Sequence, residues 1–243
     1  MIPKVIHYCW FGNKPLPPLA VKCIQSWKKY LPDYEIKKWD ESNFDINICA
    51  YVKEAYDEKK YAFVSDYARF WIIYNFGGIY FDTDVEVLKP MDNIIAKGPF
   101  MGCENAASMH LKIAVNPGLG FGGYKKMDFF KSILDKYQNM SFKNNNRKSP
   151  ITIVEHTTDL LFKNGLKNTN QIQKVSDIYI YPNSYFAPLD YYTGKINIDT
   201  TTYTIHHFAG SWTSKKDKLF IFISRKLGFR FAKFCSSIYK VLK

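Results

Sequence analysis

The chain has few cysteines and none of the spacings that make them structural. Cys9, Cys23, Cys49, Cys103 and Cys235 are an odd, scattered set without a C-x-x-C pair. This excludes a disulfide framework and a cysteine-based zinc site. Long hydrophobic runs are missing too, since no stretch of about twenty apolar residues is available to span a bilayer. Met1-Ile2-Pro3-Lys4 leads straight into a strand-like segment, with none of the three regions of a secretory leader. A cytoplasmic location is expected. Acids are scarce, 22 against 34 Lys and Arg, giving a net charge of +12. Basic charge with 17% aromatics suits a nucleic-acid binder, yet no RNP, zinc-finger or helix-turn-helix pattern accompanies it. No nucleic-acid partner is predicted.

What is present is a pair of acids in a telling place, Asp82-Thr83-Asp84, at the end of Gly77-Gly78-Ile79-Tyr80-Phe81. From Ile79 to Val87 apolar and polar residues alternate, which predicts an extended segment with Asp82 and Asp84 on one face. Two carboxylates on one rim suit Mn²⁺ or Mg²⁺, hard cations that take oxygen ligands and keep positions for substrate phosphates. Acidic alternation also marks the solvated face of an ordinary strand. The residues upstream bear on the choice.

Tyr61 to Phe76 carries Phe63, Tyr67, Phe70, Trp71 and Tyr74 at helical spacing, closed by Gly77-Gly78. Within this apolar helix Asp66 and Arg69 are three apart, and Ser65 and Arg69 four apart, so they share a side. They form either a structural ion pair tying helix to strand or a set of donors and acceptors for sugar hydroxyls.

Four ordered blocks carry a resemblance. They are Ile2 to Gly12 (IPKVIHYCWFG), Ser65 to Arg69 (SDYAR), Gly77 to Asp84 (GGIYFDTD) and Tyr203 to Trp212 (YTIHHFAGSW). Together they resemble glycosyltransferase family 32, with its Och1-like mannosyltransferases and capsular-polysaccharide enzymes, and are similar to the catalytic domains of the large clostridial glucosylating toxins. The resemblance implies a retaining, metal-dependent transferase that moves a hexose from a nucleotide-diphosphate sugar, UDP-sugars favoured, to a hydroxyl of a cell-surface glycan or lipid-linked oligosaccharide. It also implies roles. Trp10 flanks the base, unless it is simply a core tryptophan at a strand end. Ser65, Asp66 and Arg69 hold the donor sugar, Tyr80 packs near the ribose, and Asp82 contacts ribose and sugar hydroxyls. Asp84 is the direct metal ligand, while Trp212, assisted by Ser211, directs its indole N–H at a diphosphate oxygen. The catalytic set is thus Arg69, Asp82, Asp84 and Trp212.

The pair His206-His207 is ambiguous, because adjacent strand residues face opposite ways and one alone can look into a site. His207 is preferred as second metal ligand, standing where the toxins carry an acid five residues before the Trp. His206 is then a core residue.

The fold expected is α/β, a GT-A-type, Rossmann-like, mainly parallel sheet flanked by helices, in one domain over 1–214. Predicted strands are Lys4 to Cys9, Tyr34 to Trp39, Ile79 to Phe81, Val85 to Leu88, Phe100 to Cys103, Ile178 to Tyr181 and Tyr203 to Phe208. Predicted helices are Leu19 to Tyr30, Ala50 to Asp57, Tyr61 to Phe76, Lys126 to Tyr137 and Ile151 to Asn164. Asn116 to Gly123, with four glycines, reads as a loop near an acceptor, and Lys143 to Pro150 as a polar surface connection. Glu104 and Asn116 are acceptor candidates.

Residues 215–243 hold nine Lys or Arg and one acid, 9 − 1 = +8. Phe220, Ile223, Leu227, Phe231, Phe234, Ile238 and Val241 recur at helical steps, so a basic amphipathic helix is predicted. It either packs on the domain or lies on an anionic membrane. Phe222 and Phe229 fall on the basic side and favour the membrane, giving a peripheral protein on the inner face. The alternative to an enzyme is a catalytically silent nucleotide-sugar-binding or membrane adaptor.

Overall fold

The computed structural model describes residues 1–105, 111, 113–143, 152–191, 193–210 and 215–228. In chain order these form β1 (Val5–Cys9), α1 (Pro18–Tyr30), β2 (Glu35–Trp39), α2 (Ala50–Asp57), α3 (Tyr61–Phe76), β3 (Gly78–Tyr80), β4 (Val85–Val87), α4 (Asp92–Ile95), β5 (Phe100–Asn105) and β6 (Ile113–Val115). There follow β7 (Phe121–Gly123), α5 (Asp128–Gln138), α6 (Ile153–Lys163), β8 (Gln173–Val175), β9 (Ile178–Tyr181), α7 (Asn183–Phe186), β10 (Thr204–His206) and α8 (Lys215–Leu227).

Eight strands make one sheet in the order β2-β1-β3-β7-β5-β9-β8, with β6 added to β5. β1, β2, β3, β5 and β9 run in one direction, and β6, β7 and β8 run against them. The sheet is therefore mixed with a parallel majority. Both faces are covered. α2, α3, α5 and α6 bury Tyr51, Phe70, Phe130 and Leu161 on one side, and α1, α4 and α7 bury Trp27, Ile94 and Phe186 on the other.

Local chemistry explains the elements that matter for the site. α3 is apolar almost all round and is buried through Val64, Tyr67, Ala68, Phe70, Ile72 and Ile73, as expected of a helix facing core on several sides. Gly77, at φ +65°, ends it with its N–H on the Ile73 carbonyl. At Gly78 (φ +102°) a Cβ would stand 2.6 Å from the Val5 carbonyl oxygen, so only glycine lets the chain turn directly from helix into β3. His7 is locked at this junction. Its Nδ1 accepts from the Trp39 indole N–H at 3.0 Å, and its Nε2 lies 3.0 Å from the Gly77 carbonyl oxygen.

Two expectations are corrected. The two strands predicted on either side of the acids are present as β3 and β4, but the segment joining them is not extended: Val85 N–H donates to the Asp82 carbonyl across a turn, and β4 leaves to pair with β10 in a separate two-stranded sheet. The glycine-rich stretch is not a loop throughout either. It makes a 3₁₀ turn at Pro117–Leu119 and then becomes β7, in the middle of the sheet between β3 and β5. Its glycines admit neighbouring rings, since a Cβ at Gly122 would meet Phe100 at 2.6 Å and one at Gly123 would meet Phe130 at 2.4 Å. The predicted connection at 143–150 lies outside the described residues beyond Lys143.

Candidate active site

Because β1, β3 and β5 run the same way, the residues at or just beyond their ends, Trp10, Asp82 and Glu104, gather at one edge of the sheet. This is where ligands of open α/β sheets bind. The turn at Asp82 adds Asp84, and α3 adds Asp66 and Arg69 from above.

Arg69 is the hub. Its Nη2 lies 3.0 Å from Asp66 Oδ1 and 3.3 Å from Asp82 Oδ1, its Nη1 is 3.5 Å from Asp82 Oδ2, and its Nε donates to the Ser65 carbonyl at 3.1 Å. Nε and Nη1 thus donate hydrogen bonds while Nη2 stands within ion-pair distance of both carboxylates, and the side chain is 5% exposed. Tyr80 is fully buried, and its hydroxyl donates to Asp82 Oδ1 at 3.0 Å. Tyr80 thus orients Asp82. Ser65 contributes through its carbonyl, since its hydroxyl is bonded to Tyr61. Trp10 is half-buried, with its indole N–H on the Lys14 carbonyl and the ring at the rim.

His206, not His207, meets the acids. β10 pairs with β4 in the register His206 to Val85, which sets His206 Nε2 3.1 Å from Asp84 Oδ1. His207 faces the other way, its Nε2 2.8 Å from Glu86 Oε2, which Lys22 also holds at 2.9 Å. The expectation for His207 is corrected by strand alternation and by a register that the sequence spacing to Trp212 does not encode. Ser211 and Trp212 lie outside the described residues.

One ligand atom each from Asp82, Asp84 and His206 lies within 4.8 Å of the others. Asp84 Oδ2 accepts the Ala209 N–H at 2.7 Å, which fixes the carboxylate, and His206 Nδ1 is buried without a hydrogen-bond partner among the described residues. Two carboxylates and an imidazole are a donor set that fits a hard divalent cation.

The electrostatics separate residues that look equivalent in sequence. Burial pushes Asp66 up to about 7, with Arg69 opposing and Asp82 adding. Asp82 is likewise raised by burial against the pull of Arg69. At Asp84 burial acts upward, but His206 and the Ala209 N–H outweigh it and hold the carboxyl well below its usual range. His206 is raised, because Asp84, Asp82 and Glu104 overcome its desolvation. Asp84 is therefore the more acidic of the pair.

Glu104, raised by burial, accepts from Asn116 Nδ2 at 2.7 Å, and Asn116 Oδ1 accepts from Gly118 N–H at 2.7 Å. Gly118 is a site residue that the sequence reading passed over. A Cβ there would stand 2.4 Å from Asp82 Oδ2 and 3.3 Å from Arg69 Nη1. The 3₁₀ turn thus presses its backbone on Asp82.

Residues 17–101 match the family described as "Glycosyltransferase sugar-binding region containing DXD motif". Inositol phosphoceramide mannosyltransferase 1 of Schizosaccharomyces pombe is 30% identical over 111 residues, 41% of this chain and 33% of that protein. The chain thus spans about a third of that relative's length. An uncharacterized glycosyltransferase of Acanthamoeba polyphaga mimivirus is 25% identical over 241 residues, 93% of this chain and 90% of the relative. The solved PaToxG Glycosyltransferase overlays with a TM-score of 0.49 at 20% identity, over 67% of this chain and 69% of that one, too distant to carry an argument about the site. Residues 17–101 thus match a DXD-containing sugar-binding region of glycosyltransferases, and the chain as a whole is similar to a glycosyltransferase over nearly its full length.

Proposed function

We propose that this chain is a retaining, metal-dependent glycosyltransferase that moves a hexose from a nucleotide-diphosphate sugar to a hydroxyl of a glycan or lipid-linked acceptor. The observation that carries the reading is the convergence of Asp82, Asp84 and His206 beside the buried Arg69. Asp84 and His206 would hold Mn²⁺ or Mg²⁺, and Asp82, fixed by Arg69, would meet the ribose and sugar hydroxyls of the donor. When bound, the cation neutralises charge on the diphosphate leaving group.

The chain's own groups do the rest. Arg69 fixes Asp66 and Asp82 and keeps N–H groups to offer the donor sugar. Asp66, with a pKa near neutrality, exchanges hydrogen bonds with sugar hydroxyls. Trp10 flanks the base at the rim, Trp212 and Ser211 bind the diphosphate, and Glu104 held by Asn116 receives the acceptor hydroxyl. Peripheral attachment to an anionic membrane through a tail at 215–243 belongs to the same reading.

UDP-hexoses are favoured by the toxin-like motif, and a mannose donor is suggested by the name of the yeast relative. A thermal-shift panel of nucleotide sugars with Mn²⁺ tests this, since a ligand that binds only the native state raises the melting temperature. Stabilisation by one base and sugar class, abolished by EDTA, is expected. No response to any donor would favour a silent adaptor.

A further inference from the structure

Exposed apolar surface is concentrated on two elements that touch. On α8, Leu219, Phe222 and Leu227 are 59%, 60% and 63% exposed. Ile196 and Ile198, 48% and 58% exposed, stand on the returning arm of a hairpin closed by the Leu189–Ile196 bridge. Arg225 joins the two elements, its Nε and Nη2 both 3.3 Å from the Tyr191 carbonyl oxygen. Its aliphatic shaft lies against Gly194, where a Cβ would be 3.2 Å from Cδ. Ser224 is buried, so α8 has a seated side and an open side.

Five large apolar side chains left in water on adjoining elements call for a partner. The charge of the stretch of sequence to which α8 belongs identifies its class. Residues 215–243 carry +8 with a single acid, Asp217. Exposed leucine, isoleucine and phenylalanine among lysines and arginines match an anionic lipid surface, where apolar groups enter the headgroup boundary and cations meet the lipid charge. A nucleic acid would use the cations and leave the aliphatic side chains in water.

We propose that α8 and the hairpin at 188–198 form one docking face for an anionic bilayer, with Leu219, Phe222, Leu227, Ile196 and Ile198 as its inserting groups. This face is coupled to the metal-binding cluster through the hairpin. The Tyr191 ring lies 5.4 Å from Phe208, and Phe208 lies 4.3 Å from His206. Docking therefore holds the site close to the lipid surface and selects acceptors presented there. Only this consequence rests on the transferase reading, since docking is read out without any donor.

The experiment is co-sedimentation of the full chain with vesicles of phosphatidylcholine alone and of equal phosphatidylcholine and phosphatidylglycerol. Binding to the anionic vesicles is expected, weakened about tenfold or more by the joint change Leu219→Ser, Phe222→Ser and Leu227→Ser. The pair Ile196→Ser and Ile198→Ser, on a separate element, weakens it as well, while Ile172→Ser on a distant surface leaves it unchanged. Parent-like circular dichroism establishes that each variant is folded. Equal partitioning of parent and both variants, or no preference for anionic lipid, overturns the proposal. So does a triple variant that turns a dimer into a monomer in gel filtration without altering vesicle binding, which would assign the face to a second copy of the chain.

Discussion

His206 Nε2 lies 3.1 Å from Asp84 Oδ1, across the short antiparallel pairing of β10 with β4. The neighbouring histidine, His207, is bound to Glu86 on the opposite side of the same ribbon. Two adjacent histidines therefore have separable tasks. His206→Ala is expected to weaken Mn²⁺ binding about a hundredfold, as loss of a ligand should cost at least what loss of its supporting partner does. His207→Ala is expected to leave Mn²⁺ affinity within about twofold of the parent, because Glu86 keeps Lys22 as partner. Isothermal titration with Mn²⁺ distinguishes them, and the reverse pattern would return the ligand role to His207.

The approach of Gly118 to Asp82 makes a second prediction. Gly118→Ala puts a methyl where Asp82 Oδ2 now sits, and a carboxylate at the end of a short side chain can move aside. The fold should survive with a melting temperature within a few degrees of the parent. Donor binding should fall about tenfold or more, because Asp82 loses its place against Arg69. An alanine variant with parent affinity would show that the 3₁₀ turn is mere packing.

Arg69, itself buried, neutralises two partly buried carboxylates. Removing it by Arg69→Met leaves Asp66 and Asp82 facing each other unpaired, at a cost of about 3 to 5 kcal/mol of stability. Chemical denaturation reads this directly. The joint change Arg69→Met with Asp66→Asn should recover part of the loss, and no recovery would mean that the two side chains are not coupled.

His7 provides a pH dependence with a definite sign. The Trp39 indole can only donate and the Gly77 carbonyl can only accept, so the ring is held as the neutral form protonated at Nε2. Burial lowers its pKa from 6.5 to about 4 against the pull of the Gly77 carbonyl. Above about pH 6.5 the group contributes its full stability. As pH falls from there toward about 4 the unfolded chain takes up a proton that the folded one excludes, and about 3 kcal/mol is lost. The His7 ring resonances in NMR should not shift above about pH 5, and titration near 6.5 would refute the tautomer.

How much of this could be read from residues alone is clearest at particular elements. α2 and α3 occur over the spans expected, because each is a long periodic segment with an evident stop, Gly77 in the case of α3. β6, β7 and β8 are three residues each, too short for a period, and β7 is largely glycine, whose fitness for mid-sheet packing against Phe100 and Phe130 depends on partners distant in sequence. The acids were legible as a pair, but the turn at Asp82 and not strand alternation brings them together. Choosing between His206 and His207 required the register of β10, which only the folded pairing supplies.

The most direct test of the account measures release of nucleoside diphosphate from the donor selected by thermal shift, for the parent chain and Asp84→Asn. Steady release that depends on Mn²⁺, stops with EDTA and falls about a thousandfold in Asp84→Asn is the predicted result. Release that persists in Asp84→Asn or in the presence of EDTA would contradict it.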